Sequence, residues 1–305
     1  MNESLLAALR AEALPCAVNE PLARHTTFRI GGAADGFCQP ETVPQLARTL
    51  ELCRAHGERV YLLGNGSNTL FADAGFRGTV ICLTRLHSRF AVDRSQDGSA
   101  LVRAGVGLML STLCSAVQKE SLSGLEFAYG IPGTVGGAVY MDAGAYGGEI
   151  KDVLTDVTFL DENQHLCTRP VDRLELGYRT SIFERKPWCI LEAGLCLKAD
   201  DPSRILARMQ DYMQRRREKQ PLELPSAGST FKRPAGHFAG QLIEECGLRG
   251  FRVGGAAISD KHCGFVVNLG GATCADVLAL VVRIRERVRQ ETGVELELEV
   301  KTLGV

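Results

Sequence analysis

The sequence predicts an α+β protein of two domains, and three features carry that reading. The chain has 305 residues, about twice the length of a typical domain. Helical and strand-like patterns are mixed along its first two-thirds. The apolar pattern then breaks at Ala199-Asp200-Asp201-Pro202 before a long helical run, which places a domain boundary near residue 200. Hydrophobic residues at 45% and charged residues at 23% are globular proportions that permit a sizeable core.

Met1 to Leu14 sets Glu3, Arg10 and Glu12 among leucines and alanines, which reads as an amphipathic helix and not as a signal peptide. Pro44 to Cys53 is a short helix with Leu46, Leu50 and Cys53 on one side, leading through Gly57 into a strand at Val60 to Leu63. Thr79 to Leu83 and Ala100 to Ala104 read as strands, and Leu108 to Gln118 as a helix with Leu110, Leu113, Ala116 and Val117 inward. Val153 to Leu160 and Cys189 to Leu197 are further strands. Beyond the break, Ser203 to Lys219 is helical, with Ile205, Leu206, Met209 and Met213 on its apolar side. Thr273 to Gln290 is the clearest helix: Thr273 caps it, Asp276 sits in its first turn, and Val277, Val281, Ile284 and Val288 keep one face. Arg283, Arg285, Arg287 and Arg289 then form a solvated face with Glu286. Val294 to Val300 alternates strictly and predicts a half-buried strand, with Glu295, Glu297 and Glu299 together on its other face.

Composition removes several function classes. A formal net charge of -1 offers no global field for nucleic acid or an anionic membrane, so an anionic ligand needs a local site. The 11 cysteines include no C-x-x-C pair and stand mostly alone in apolar stretches, which fits reduced thiols in a cytoplasmic protein. Six scattered histidines show no metal-ligand spacing, so no metal site is expected, and His262 reads as a structural histidine. No apolar run reaches the length of a membrane span.

Glycine is the informative excess. The chain has 33, against roughly 21 at the usual share of about 7%, and they cluster between apolar strands, where the backbone can approach a ligand. Val60 to Leu63 runs into Gly64-Asn65-Gly66-Ser67-Asn68, which lacks the third glycine and following helix of a dinucleotide turn. An anion there would meet a nest of backbone N–H groups with help from Ser67 and Asn68; the alternative is a tight surface turn. Gly124 to Ala138, carrying Gly130-Ile131-Pro132-Gly133-Thr134 and Gly136-Gly137, shows neither helical nor strand period and suits a rigid, side-chain-poor backbone laid against a pyrophosphate or a flat ring.

These two segments, with Met141-Asp142-Ala143-Gly144-Ala145-Tyr146-Gly147-Gly148-Glu149, resemble the flavin-binding half of the UDP-N-acetylenolpyruvoylglucosamine reductase family. His25 to Gly32 resembles that family's opening motif, Tyr178-Arg179-Thr180-Ser181 its arginine motif, and Pro225 to Lys232 its serine loop. Ala257 to His262 and Leu296 to Gly304 resemble its C-terminal signatures, and the motifs fall in the family's order over residues 20 to 304. The resemblance implies a two-part FAD-binding domain of the vanillyl-alcohol-oxidase/PCMH type over residues 1–199, split near 80, and an α+β substrate-binding domain over 200–305.

The activity implied is NADPH-dependent reduction, through noncovalent FAD, of UDP-N-acetylglucosamine enolpyruvate to UDP-N-acetylmuramate in peptidoglycan precursor synthesis, by a cytoplasmic monomer. Residue by residue, the resemblance makes Ser229 the proton donor, Arg179 the clamp on the developing enolate and Glu299 the catalytic carboxylate. It assigns the cofactor to Gly64, Asn65, Gly66, Ser67, Asn68, Gly130, Ile131, Pro132, Gly133, Thr134, Gly136, Gly137, Ala143 and Gly144. Tyr178, Lys219, Arg233 and Lys301 would hold substrate. Periodicity alone does not choose among Glu295, Glu297 and Glu299. Asp142 stands where the family usually has Asn, Arg233 where Asn is often seen, and Cys263-Gly264 replaces the usual pair after His262. No long tyrosine-bearing loop separates Arg179 from Ser229, which matches the shorter subtype. Another FAD-dependent oxidase of the same superfold and a noncatalytic nucleotide-binding relative are the competing readings.

Overall fold

In the computed structural model, which covers residues 1–305, the chain begins with α1 (Glu3–Ala11), where the Asn2 side chain accepts the Ser4 N–H and Leu5 and Leu9 are fully buried. Strands β1 (Cys16–Pro21) and β2 (Ala33–Cys38) precede α2 (Val43–Ala55), which is capped by Thr42; β3 (Val60–Leu63), β4 (Thr69–Phe71) and β5 (Phe76–Cys82) follow. The first sheet runs β1-β2-β5-β3, antiparallel at β1 and parallel thereafter. Phe37, Phe71, Phe76 and Val80 fill its own small core.

A second sheet begins with β6 (Phe90–Arg94) and β7 (Ser99–Gly105). After α3 (Leu110–Lys119) and the short β8 (Leu122–Ser123) comes the glycine-rich segment, whose end winds into α4 (Val135–Tyr140). A hairpin of β9 (Gly144–Ala145) and β10 (Gly148–Glu149) leads to β11 (Leu154–Leu160), β12 (Leu166–Pro170) and β13 (Cys189–Ala199). The sheet order is β12-β11-β13-β7-β6, all antiparallel, with β8 added beside β13. The apolar run Cys189 to Leu197 makes β13 central, because most of its side chains are buried on both faces.

Helix α5 (Pro202–Lys219) starts where Asp201 accepts the Ser203 and Arg204 N–H groups, and Ile205 and Met209 pack into the core of the second sheet. The apolar side of α5 thus packs back on the first unit, beyond the chain break near 200. The second unit's core starts at Ala227 and gathers α6 (Ala239–Glu245), the sheet β14 (Arg252–Val253), β15 (Ala256–Ile258) and β16 (Val266–Asn268), and α7 (Cys274–Thr292). A Thr273/Asp276 capping box starts α7 and Gly293, at φ 72°, ends it. The last strand, β17 (Lys301–Leu303), returns to pair in parallel with β4 of the first unit. Phe28, Ile30 and Leu70 also enter the second core, so the two units share apolar contacts.

Two segments differ from expectation. Val294 to Val300 is extended but is not a regular strand: its ties are the Phe231/Leu298 bridge, the Lys232 N–H to Glu297 O bond and the Glu299 N–H to Thr230 O bond. Alternation of burial survives without a continuous ladder, and the three glutamates part company, with Glu295 and Glu297 exposed and the Glu299 side chain only 12% exposed. Val135 to Tyr140 is helical despite its glycines, because Thr134 caps it and the Gly136 N–H reaches Val106 O at 3.0 Å.

Candidate active site

The glycine turn after β3 and the loop at Gly130 and Pro132 form one side of a cleft of about 540 Å³. Arg24, His25 and Arg29 from the first unit and Pro225, Ser226 and Gly228 from the second also line it. Asn65 Nδ2 donates to Pro132 O at 2.8 Å, which fastens the two glycine segments together. Thr27 Oγ1 donates to Ser226 O at 2.7 Å, which fastens the serine loop to the opening motif. Gly66 requires its glycine, with φ at 61° and a hypothetical β-carbon 2.2 Å from His25 O.

Two polar atoms at this cleft are buried without a hydrogen-bond partner, Arg216 Nε and Gln220 Oε1. Burial depresses the Arg216 pKa, so the protein leaves a desolvated guanidinium that an anion would satisfy. A Cβ on Gly130 would strike the Arg216 side chain at 2.4 Å, so the glycine lets the arginine lie against the loop. Glycine-rich backbone, an unpartnered guanidinium and an unpartnered amide oxygen fit a dinucleotide such as FAD.

A second cavity of about 400 Å³ receives Tyr178, Arg179, Lys219, Ser229, Arg233 and Glu299. One loop supplies both spaces: Ser226 and Gly228 face the cleft and Ser229 the cavity. Thr230 fixes that loop from behind, its hydroxyl accepting the Val266 N–H at 3.0 Å and its own N–H donating to Gly264 O at 2.9 Å. Arg179 sits in a tight turn at φ 59°, a strained conformation for a bulky residue. Its Nε donates to Glu299 Oε1 at 2.6 Å and its Nη2 to Gly144 O at 3.2 Å, while Nη1 is buried with no partner. That atom is a charged donor held ready for an anion.

Burial raises the Glu299 pKa above the ordinary carboxylate range, although Arg179 pulls it down. Asn68 Nδ2 donates to Glu299 O at 3.0 Å and Asn68 O accepts the Lys301 N–H at 3.0 Å, so the first glycine turn holds the segment from Glu299 to Lys301 directly. His262 also lines this cavity, and its Nδ1 accepts the Gly264 N–H at 3.0 Å, so the neutral ring carries its proton on Nε2.

The structure therefore brings Ser229, Arg179 and Glu299 together with Tyr178, Lys219 and Arg233, and lines the cleft with Gly64, Asn65, Gly130 and Pro132. Several other predicted cofactor residues support these walls: Gly136 packs on Val106, the Gly137 N–H donates to Thr134 Oγ1, and Gly144 holds Arg179. Gly133 and Ser67 lie side by side. Lys301 is the exception to the predicted grouping, because its ammonium pairs with Glu184 and it lines neither space.

Asp142 is fully buried, accepts the Lys151 N–H at 2.9 Å, and has its pKa raised by burial. Arg24, Arg29, Arg216 and Gln220 carry no sequence signal beyond a motif neighbourhood and a basic run. Only the fold shows that α5 turns Arg216 toward the cleft.

Residues 220–303 match the model of the C-terminal domain of UDP-N-acetylenolpyruvoylglucosamine reductase, and residues 34–168 match an FAD binding domain. The UDP-N-acetylenolpyruvoylglucosamine reductase of Lachnoclostridium phytofermentans is 45% identical over 308 residues, covering 100% of this chain and 98% of its own. That of Agathobacter rectalis is 48% identical over 293 residues, 94% of this chain and 93% of its own. Among solved structures, the UDP-N-acetylenolpyruvylglucosamine reductase (MurB) of Thermus caldophilus superimposes with a TM-score of 0.78 at 35% identity, over 95% of this chain and 98% of that one.

Proposed function

The chain belongs to the UDP-N-acetylenolpyruvoylglucosamine reductase family, and from that membership we propose which of its residues carry the reaction. It is an FAD-containing, NADPH-dependent oxidoreductase that reduces the enolpyruvyl ether of UDP-N-acetylglucosamine to UDP-N-acetylmuramate, in peptidoglycan precursor synthesis. The observation that supports the residue assignment best is the single loop that presents Ser226 and Gly228 to one space and Ser229 to the other.

FAD, charged by NADPH, supplies the hydride for the terminal carbon of the alkene. Gly64, Asn65, Gly130 and Pro132 would hold it, with Arg216 and Gln220 as unpartnered polar contacts. Addition of hydride leaves negative charge on the neighbouring carbon and its carboxylate. Arg179 meets that charge with Nη1, and its other nitrogens are already anchored on Glu299 and Gly144. Because the guanidinium is oriented beforehand, it needs little reorganisation as charge develops. The Ser229 hydroxyl, half-buried in the same cavity, donates the proton to the carbanion-like carbon. An alcohol is a weak acid, and only a centre as basic as this one accepts its proton readily.

Glu299 orients Arg179 through the 2.6 Å bond and offsets part of its charge. Lys219 and Arg233, which have no carboxylate partner, would take the pyrophosphate. Every residue assigned here comes from a single chain, as a monomer requires. No helix is long and apolar enough to cross a membrane, and all 11 cysteines are free, which supports a cytoplasmic site of action. Purified protein should be yellow and should consume NADPH only when the enolpyruvyl sugar nucleotide is supplied. Oxygen-driven oxidation of simple alcohols in its place would establish the oxidase reading.

A further inference from the structure

We propose that Phe238 is the platform on which the uracil ring of the sugar nucleotide stacks, an assignment that rests on the reductase reading above. The substrate is a line of three parts: an enolpyruvyl sugar, a pyrophosphate and a base. Ser229 and Arg179 fix the first part at one region of the second cavity, and the base must find a surface beyond the phosphates.

Three phenyl-type rings line that cavity, and of these Phe231 is buried in a core while Tyr178, 44% exposed, is tied by its hydroxyl. Phe231 is 3% exposed and belongs to the second core. Tyr178 lies under the Arg179 guanidinium, 5.0 Å from its ring centroid, and its hydroxyl accepts the Arg233 N–H at 3.1 Å. Phe238 is 58% exposed, so its ring is accessible to a ligand in the cavity. The Arg233 guanidinium sits 4.7 Å from its ring centroid and covers one face. More than half of the residue's surface stays open to solvent.

This ring is displayed by a fixed backbone. Phe238 immediately precedes α6, and its carbonyl accepts the Leu242 N–H at 3.1 Å. A nucleobase presents a π-face to such a ring whatever its edge carries, and stacking is the sequence-tolerant part of base recognition. Arg233 has no carboxylate partner, so the same guanidinium that backs the ring has charge to offer the adjacent phosphate. Base platform and phosphate cation are therefore one built unit.

The test is calorimetric titration of the FAD-loaded wild type, Phe238→Ala and Phe238→Tyr with UDP and, separately, with inorganic pyrophosphate. The expected result is UDP bound about tenfold more weakly by Phe238→Ala, pyrophosphate bound within about twofold of wild type, and UDP affinity regained in Phe238→Tyr. KM for the sugar nucleotide should rise in parallel, with kcat far less affected. Unchanged UDP affinity in Phe238→Ala overturns the platform while wild-type turnover leaves the reductase reading standing. Equal loss of UDP and pyrophosphate also overturns it, since the effect would then run through Arg233. A wild type that neither binds UDP nor turns over the enolpyruvyl sugar nucleotide removes the underlying reading and this one with it.

Discussion

Ser229→Ala removes one oxygen and none of the bonds that hold its loop. The neighbouring Thr230 carries those bonds: its N–H donates to Gly264 O, its carbonyl accepts the Glu299 N–H, and its hydroxyl accepts the Val266 N–H. The substitution should therefore change stability by no more than about 0.5 kcal/mol. Arg179, Glu299 and the cofactor cleft should keep their geometry for the same reason. What disappears is the proton donor, and a positioned general acid contributes about 10²- to 10⁴-fold, or roughly 2.7 to 5.4 kcal/mol of barrier. Rapid mixing separates the two halves of the reaction. NADPH should bleach the variant's flavin at the wild-type rate, and oxidation of the reduced variant by the enolpyruvyl sugar nucleotide should slow by at least about a hundredfold. Wild-type speed in that second half would refute Ser229 as the donor. Equal slowing of both halves would refute the argument that the loop survives.

Arg179→Lys keeps the charge, but one ammonium does not serve Glu299, Gly144 O and the substrate at once. Loss of a charged hydrogen bond of about 1.5 to 3 kcal/mol should slow substrate reduction roughly 10- to 150-fold, again measured by rapid mixing with the NADPH half intact. Glu299→Gln tests the raised carboxyl: burial favours its protonated form in the native state, so its contribution to stability is full in acid and is lost as pH rises through the native pKa. Melting temperatures taken across roughly pH 4 to 7 should show the variant gaining on wild type as pH rises, whatever constant offset the unpaired Arg179 adds. Gly66→Ala forces a β-carbon toward His25 O at φ 61°, and should cost at least about 1 kcal/mol and lower the flavin content of purified protein. Asp73→Ala removes the carboxylate that accepts the Cys274 and Ala275 N–H groups at 2.7 and 2.9 Å, and denaturant titration should register a loss of about 1 to 2 kcal/mol at the start of α7.

Elements with their own local signal were legible in the sequence. The Thr273 cap, the Asp276 first-turn carboxylate and the Val277 to Val288 stripe specify α7 without help from the rest of the chain. Cys189 to Leu197 likewise announces a buried central strand. Val294 to Val300 has the alternation of a strand but too few backbone neighbours to make one, and alternation does not report on partners. The boundary at 200 marked a turn in the chain, whereas Ile205 and Met209 show that the next helix packs backward.

At the site, Ser229, Arg179 and Glu299 were reached through motif resemblance, and only the fold joins residues 120 positions apart into a 2.6 Å ion pair. Lys301 was placed with the substrate cations by the same resemblance, and its pairing with Glu184 is visible only in the fold. The basic run Arg215 to Lys219 offers candidate cations but does not single out Arg216, because a missing hydrogen-bond partner is visible only in three dimensions.

An oxygen-free single turnover tests the central claim most directly. Protein loaded with FAD is first bleached by one equivalent of NADPH, and the enolpyruvyl sugar nucleotide is then added alone. The account predicts that the yellow colour returns and that the lactyl ether forms in equal amount. Flavin that stays bleached until air is admitted would contradict it.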